Sequence, residues 1–145
     1  MYHYTECGLR NIWLANGYYV HKTPYGKGVS IEHVDSLQRA IAQSLVRKAA
    51  RLTGAEFRFL RKEQDLSQKG LAELIGCTVQ QINRWENGKV RVPKWADRWL
   101  RVIYREYADN NSEIRGFVDR LNEADARESA RRQFAHEDST WNEAA

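Results

Sequence analysis

Cysteine is scarce in this chain of 145 residues, which has only Cys7 and Cys77 and no CxxC pair. Two cysteines so far apart indicate neither a disulfide framework nor a zinc ribbon. The four histidines are scattered without metal-ligand spacing, at His3, His21, His33 and His136. The sequence therefore predicts no metal site and no cofactor.

Catalytic motifs are also missing. No glycine-rich phosphate loop precedes a helix, and no nucleophile elbow occurs. An enzyme built on the same scaffold stays open as an alternative, because fold does not fix function. We expect a protein that is not an enzyme.

Long apolar runs are absent, and no signal peptide opens the chain, so we expect a cytoplasmic protein. The 23 basic residues exceed the 19 acidic ones, which gives a formal charge of +4. A modest positive charge suits a nucleic-acid-binding protein with a localised basic patch.

The first 35 residues are rich in aromatic and β-branched side chains. Asn16-Gly17 lies between two such runs and predicts a hairpin of residues 12–15 with 18–21, because both turn residues tolerate positive φ. A third strand is predicted at 29–31 and a fourth at 2–4. A sheet this small cannot stand alone and must pack on the next helix or on a second chain.

A helix is predicted from Asp35 or Ser36 to about Leu52. Its apolar residues recur three or four apart and share one face, namely Leu37, Ile41, Leu45, Ala49 and Leu52. We expect residues 1–52 to form most of a dimer interface, with Trp13 and the tyrosines divided between core and contact. The helix at 93–107 and the tail are the alternative interfaces.

Two short helices with a tight turn are predicted over residues 66–88. Ser67 is a good N-cap, and Gly76 ends the first helix. Thr78 opens the second with Gln81 at capping-box spacing, as Thr53 does with Glu56 for a preceding helix.

The second helix, at 78–87, has one apolar face and one polar face. Ile82 and Trp85 are its apolar positions, and the other face carries Gln80, Gln81, Asn83 and Arg84. Amide and guanidinium groups are those that pair with base edges in the DNA major groove. A helical hairpin without a ligand is the alternative interpretation.

Three runs resemble the DNA-binding domain of the XRE/Cro family, which includes the lambdoid phage repressors. They are Leu66-Ser67-Gln68, Leu71-Ala72-x-x-Ile75-Gly76 and Ile82-x-x-Trp85-Glu86-Asn87-Gly88. The resemblance covers about residues 53–108 and implies a lambda-repressor-like helical domain. The fold expected for the chain is mainly α, with a small N-terminal antiparallel β-sheet.

The resemblance also implies a set of DNA-binding residues. Val79, Gln80 and Arg84 would face the bases, with Asn83 at the edge, while Gln68 would hold a phosphate. Thr78, Gln81 and Lys89 are expected to contact the backbone, and Arg61 would pair with Glu86. One such domain offers one half-site, so we expect a homodimer on a palindromic double-stranded operator, acting as a repressor of its own operon.

The remaining segments give weaker predictions. Pro93 begins a helix expected to close the core through Trp95, Trp99, Leu100, Val102, Ile103 and Tyr107. Residues 109–145 are predicted to form a short amphipathic helix and then a charged, solvated helix that frays into a disordered tail, or alternatively a tail that binds a partner. The N-terminal segment resembles MqsA-type antitoxin regulators but lacks their zinc-ribbon cysteines. An antitoxin or adaptor that holds a toxin is therefore the alternative function.

Overall fold

A computed structural model of the protein describes residues 1–125 and 131–144. The strands are β1 (Tyr2–His3), β2 (Trp13–Leu14), β3 (Tyr18–Thr23) and β4 (Gly26–Ile31) at the N-terminus, with β5 (Phe134–Glu137) and β6 (Thr140–Glu143) at the C-terminus. The helices are α1 (Val34–Val46), α2 (Gly54–Glu63), α3 (Gln68–Ile75), α4 (Val79–Glu86), α5 (Lys94–Ala108) and α6 (Glu113–Asp125). The mainly α fold with small antiparallel sheets is confirmed.

The predicted pairing of the N-terminal strands is wrong. β2 pairs with β1, and β3 pairs with β4, in two separate two-stranded antiparallel sheets. Six residue pairs join β3 to β4, whereas β2 offers only two residues. Gly17 does have positive φ, but it turns the chain out of β2, and its carbonyl accepts the Glu32 N–H at 2.9 Å.

One hydrophobic core contains residues from both the N-terminal segment and the helical domain. Tyr4, Leu9 and Leu14 are buried in the same cluster as Phe57 and Leu60. The chain therefore covers much of the N-terminal apolar surface itself. The division of the chain near residue 52 stays a prediction.

Helix α1 ends six residues earlier than predicted. The following segment bonds instead to α5, where the buried Asp97 carboxylate accepts the Leu52 N–H at 2.6 Å. The Arg101 guanidinium donates to the carbonyls of Lys48 and Ala50 at 2.5 and 2.6 Å. These bonds satisfy backbone groups that a longer helix would have paired internally.

Helix α5 buries only part of the face that was assigned to the core. Leu100 and Ile103 are buried, but the predicted core residues Trp95, Trp99, Val102 and Tyr107 are 39–45 % exposed. The prediction was wrong for these four because it merged two faces of the helix. Helix α5 therefore carries more apolar side chains than its buried face can hold, and some of them lie on an exposed face.

The C-terminal segment ends in a β-hairpin, so the predicted fraying helix is wrong for residues 134–143. Asp138 and Ser139 both have positive φ and form the two-residue turn between β5 and β6. The prediction for residues 126–130 and 145 lies outside the described residues. Within the described part of the chain, no helix has the length and apolar character to span a membrane, and no metal-binding cluster of His, Cys, Asp or Glu occurs.

Candidate nucleic-acid interface

Helices α3 and α4 form the predicted helix-turn-helix. The Ser67 hydroxyl accepts the Gly70 N–H at 2.9 Å, and Gly76 ends α3 at φ 77°. Thr78 and Gln81 form the predicted capping box at the start of α4. These local bonds fix both ends of the turn, which sets the angle between the two helices.

The buried side of α4 is held by aromatic packing. Ile82 is fully buried, and the Trp85 ring meets Phe57 and Trp95 edge to face, at centroid distances of 5.8 and 5.7 Å. The start of α2 lies so close to the end of α4 that a Cβ on Gly54 would stand 2.1 Å from the Trp85 carbonyl oxygen. Sequence reasoning did not find this role of Gly54, because it depends on how two helices approach.

Arg61 and Glu86 form a two-bond ion pair between α2 and the end of α4. Arg61 Nε and Nη2 donate to the two Glu86 oxygens at 2.8 Å each, and Arg61 Nη1 donates to the Leu66 carbonyl at 2.8 Å. The Gln68 amide also donates to Glu86, at 3.1 Å. The charged atoms are nearly dry, since 8 % of the Arg61 side chain and 2 % of the Glu86 side chain are exposed. The pair therefore braces α4 from behind.

The outer side of α4 exposes polar side chains to solvent. Gln80 and Arg84 lie four residues apart and so share a face, and both are exposed. Neither side chain makes a hydrogen bond within the described residues. Val79, which lies directly before Gln80 and four residues before Asn83, is 37 % exposed and adds a small apolar surface to this side of the helix. This face can offer a bidentate amide and a bidentate guanidinium to a ligand.

Other predicted contact residues are partly engaged within the protein. The side-chain Oε1 of Gln81 accepts the Thr78 N–H at 3.0 Å, and the side-chain Oδ1 of Asn83 accepts from Asn87 Nδ2 at 2.9 Å. Gln68 is bonded to Glu86 as described above. The side-chain NH₂ groups of Gln81 and Asn83 donate no hydrogen bond within the described residues, and both residues are exposed. These side chains are suited to donate to phosphate oxygens, which are acceptors only.

Basic residues follow α4 in the exposed segment that leads to α5. Lys89, Arg91 and Lys94, the first residue of α5, are exposed. The two acidic residues that flank them in the sequence, Glu86 and Asp97, are both paired with arginines. Arg91 and Lys94 were not predicted as contacts, although their spacing after the reading helix was a visible signal. Burial raises the pKa of the Cys77 thiol in the turn between α3 and α4, so this thiol adds no negative charge beside α4 at neutral pH.

Comparison with known proteins identifies a family match for the helix-turn-helix region. A family model described as Helix-turn-helix matches residues 57–94, which include most of α2 and all of α3 and α4. No curated protein and no solved structure matches the chain. The resemblance of the N-terminal segment to MqsA-type antitoxins stays a prediction. With its helix-turn-helix of the XRE/Cro type at residues 57–94, the protein is a DNA-binding transcription regulator.

Proposed function

We propose that the protein is a sequence-specific repressor that binds an inverted repeat in double-stranded DNA as a two-fold dimer. The observation that carries the proposal is the exposed face of α4, where Gln80 and Arg84 have no partner within the described residues. Side chains of this kind, left unpaired on a braced helix, are suited to bonds with base edges. Repression of its own operon is the simplest regulatory role for such a regulator.

In this proposal the contacts divide into two classes. Gln80 pairs with adenine, Arg84 pairs with guanine, and Val79 meets a thymine methyl group, with Asn83 at the edge of the base-reading face. The positioning contacts to phosphates come from Gln68, Thr78, Gln81 and Lys89. The Gln68–Glu86 bond supports this role for Gln68, because a tethered side chain loses less entropy on binding.

Selection of bound DNA from a random pool tests the proposal. We expect an inverted repeat whose half-sites lie one helical turn apart, about 34 Å. The protein with Gln80→Ala and Arg84→Ala is the control, and it should enrich no such repeat. Enrichment of a single unpaired half-site would contradict the dimeric mode, and enrichment of no sequence would contradict specific binding.

An antitoxin or adaptor function is the second candidate, and the C-terminal hairpin favours it. Phe134 and Trp141 are 52 % and 69 % exposed on this hairpin, which leaves two aromatic anchors for a protein partner. The test is co-expression with the product of a neighbouring small gene. A complex that Trp141→Ser abolishes would support this function. A complex that forms unchanged would contradict the role of the hairpin, and the absence of any complex would contradict the function.

A further inference from the structure

An apolar groove lies open between α5 and α6. Its floor and walls are formed by Trp99, Val102, Ile114, Phe117, Val118 and Leu121. Trp99 and Val102 are 44 % and 45 % exposed, and Phe117 and Leu121 are 55 % and 51 % exposed. Single exposed apolar side chains are common, but a contiguous set of six marks an interaction surface.

Polar contacts hold α6 in place beside α5. The buried Glu106 carboxylate accepts the N–H groups of Ile114 and Arg115 at 2.8 and 3.2 Å, which caps the helix. The Asn122 amide donates to the Glu73 carbonyl on α3 at 3.0 Å. Yet α6 buries none of its residues. The helix is therefore held in place while the apolar side chains that it contributes to the groove stay partly or largely exposed.

The size of the surface fits a protein interface. The large side chains of the groove leave on the order of 400 Å² of apolar surface uncovered. A standard interface buries about 800 Å² on each partner, of which the apolar centre is roughly half. Polar residues around the groove would supply the rest of the buried area.

The charges at the two ends of the groove identify the occupant. Arg98 and Glu113 both line the groove. Glu113 lies beside Glu106, because Glu106 accepts the N–H of the next residue, Ile114. Glu106 follows Arg98 by eight residues, or about 12 Å along α5, so the two charges lie toward opposite ends of the groove. A two-fold axis through the middle of the groove would place Arg98 of each copy opposite Glu113 of the other. The surface is therefore complementary to itself in both charge and hydrophobicity.

We propose that the groove between α5 and α6 is a homodimer interface, with Phe117 at its centre and two Arg98–Glu113 pairs at its ends. This inference locates the dimer of the proposed function on a surface other than residues 1–52. It is tested without DNA, so its failure leaves the base-reading assignment standing.

Sedimentation of the full chain with the Phe117→Asp substitution is the first test. The parent protein should sediment at twice the chain mass of 16.9 kDa, and the variant should dissociate at least about 100-fold more readily. The matched control is Val20→Asp on β3, because Val20 is 54 % exposed and receives the same charge. Circular dichroism of each variant should show an intact helical fold.

A charge exchange tests the orientation. Arg98→Glu and Glu113→Arg should each weaken dimerisation about 10-fold or more, and the double variant should restore it. If the two substitutions weakened dimerisation only by damaging the fold, their effects would add and the double variant would not recover.

Three results would overturn the proposal. A parent chain that is monomeric at 100 µM or so would exclude a stable dimer. A dimer that survives Phe117→Asp but is lost in Val20→Asp would place the interface on residues 1–52. A dimer that Trp141→Ser disrupts and Phe117→Asp does not would place it on the C-terminal hairpin.

Discussion

Removing one partner of the Arg61–Glu86 pair should cost the protein much of its stability. Substitution of Arg61 by Met leaves the Glu86 carboxylate with the Gln68 amide as its one remaining side-chain donor within the described residues. Substitution of Glu86 by Met leaves the Arg61 guanidinium with the Leu66 carbonyl as its one remaining acceptor in the part of the chain that the structure describes. An uncompensated buried charge typically costs about 3–5 kcal/mol, which is a large part of the 5–15 kcal/mol that stabilises a domain.

The double variant distinguishes this account from a general loss of packing. Methionine is similar in length to both arginine and glutamate, and the double variant leaves no unpaired buried charge. Its loss of stability should therefore fall short of the sum of the two single losses by about 0.5–3 kcal/mol. Urea unfolding followed by circular dichroism measures all four proteins, at one fixed concentration because dimerisation is linked to stability. Strictly additive losses would refute the idea that the two residues act as one pair.

Two further substitutions test the packing around α2. Gly54→Ala should destabilise the fold by about 1–3 kcal/mol in thermal unfolding, because its Cβ would meet the Trp85 carbonyl oxygen at 2.1 Å. Gly116→Ala is the matched control, since its Cβ finds its nearest neighbour at 3.5 Å and should not destabilise; equal losses would count against the close approach. Glu63→Gln should raise the melting temperature at neutral pH. Burial, aided by the charges of Asp65 and Asp35, raises the pKa of Glu63, so the folded state binds the proton more tightly and loses stability as pH rises through that pKa. The gain should shrink at about pH 4, and a gain independent of pH would contradict this cause.

Sequence reasoning was most accurate where structure is determined locally. The caps at Thr53, Ser67 and Thr78 depend on residues three positions away, so their spacing in the sequence is enough. The end of α3 could be predicted for the same reason, because glycine at position 76 readily adopts the positive φ that ends a helix. The whole helix-turn-helix could therefore be predicted.

Features set by contacts between distant residues could not be predicted in the same way. Asn16-Gly17 carried a hairpin signal, but the longer register between β3 and β4 determined the pairing. The end of α1 depends on Asp97, which is 45 residues beyond Leu52. Trp99 fits an apolar pattern, yet only its position relative to α6 shows that it lines an open groove. The clearance at Gly54 likewise required the structure.

Binding of Arg84→Ala to its selected DNA site and to random DNA tests the central claim most directly. The account predicts a loss of about 1–3 kcal/mol on the selected site, relaxed preference at one base pair, and little change on random DNA. Lys89→Ala is the matched control, because the loss of an exposed basic side chain that contacts only phosphate should weaken both DNAs alike and reduce the salt dependence. Equal weakening of both DNAs by Arg84→Ala would contradict the assignment of α4 as the base-reading helix.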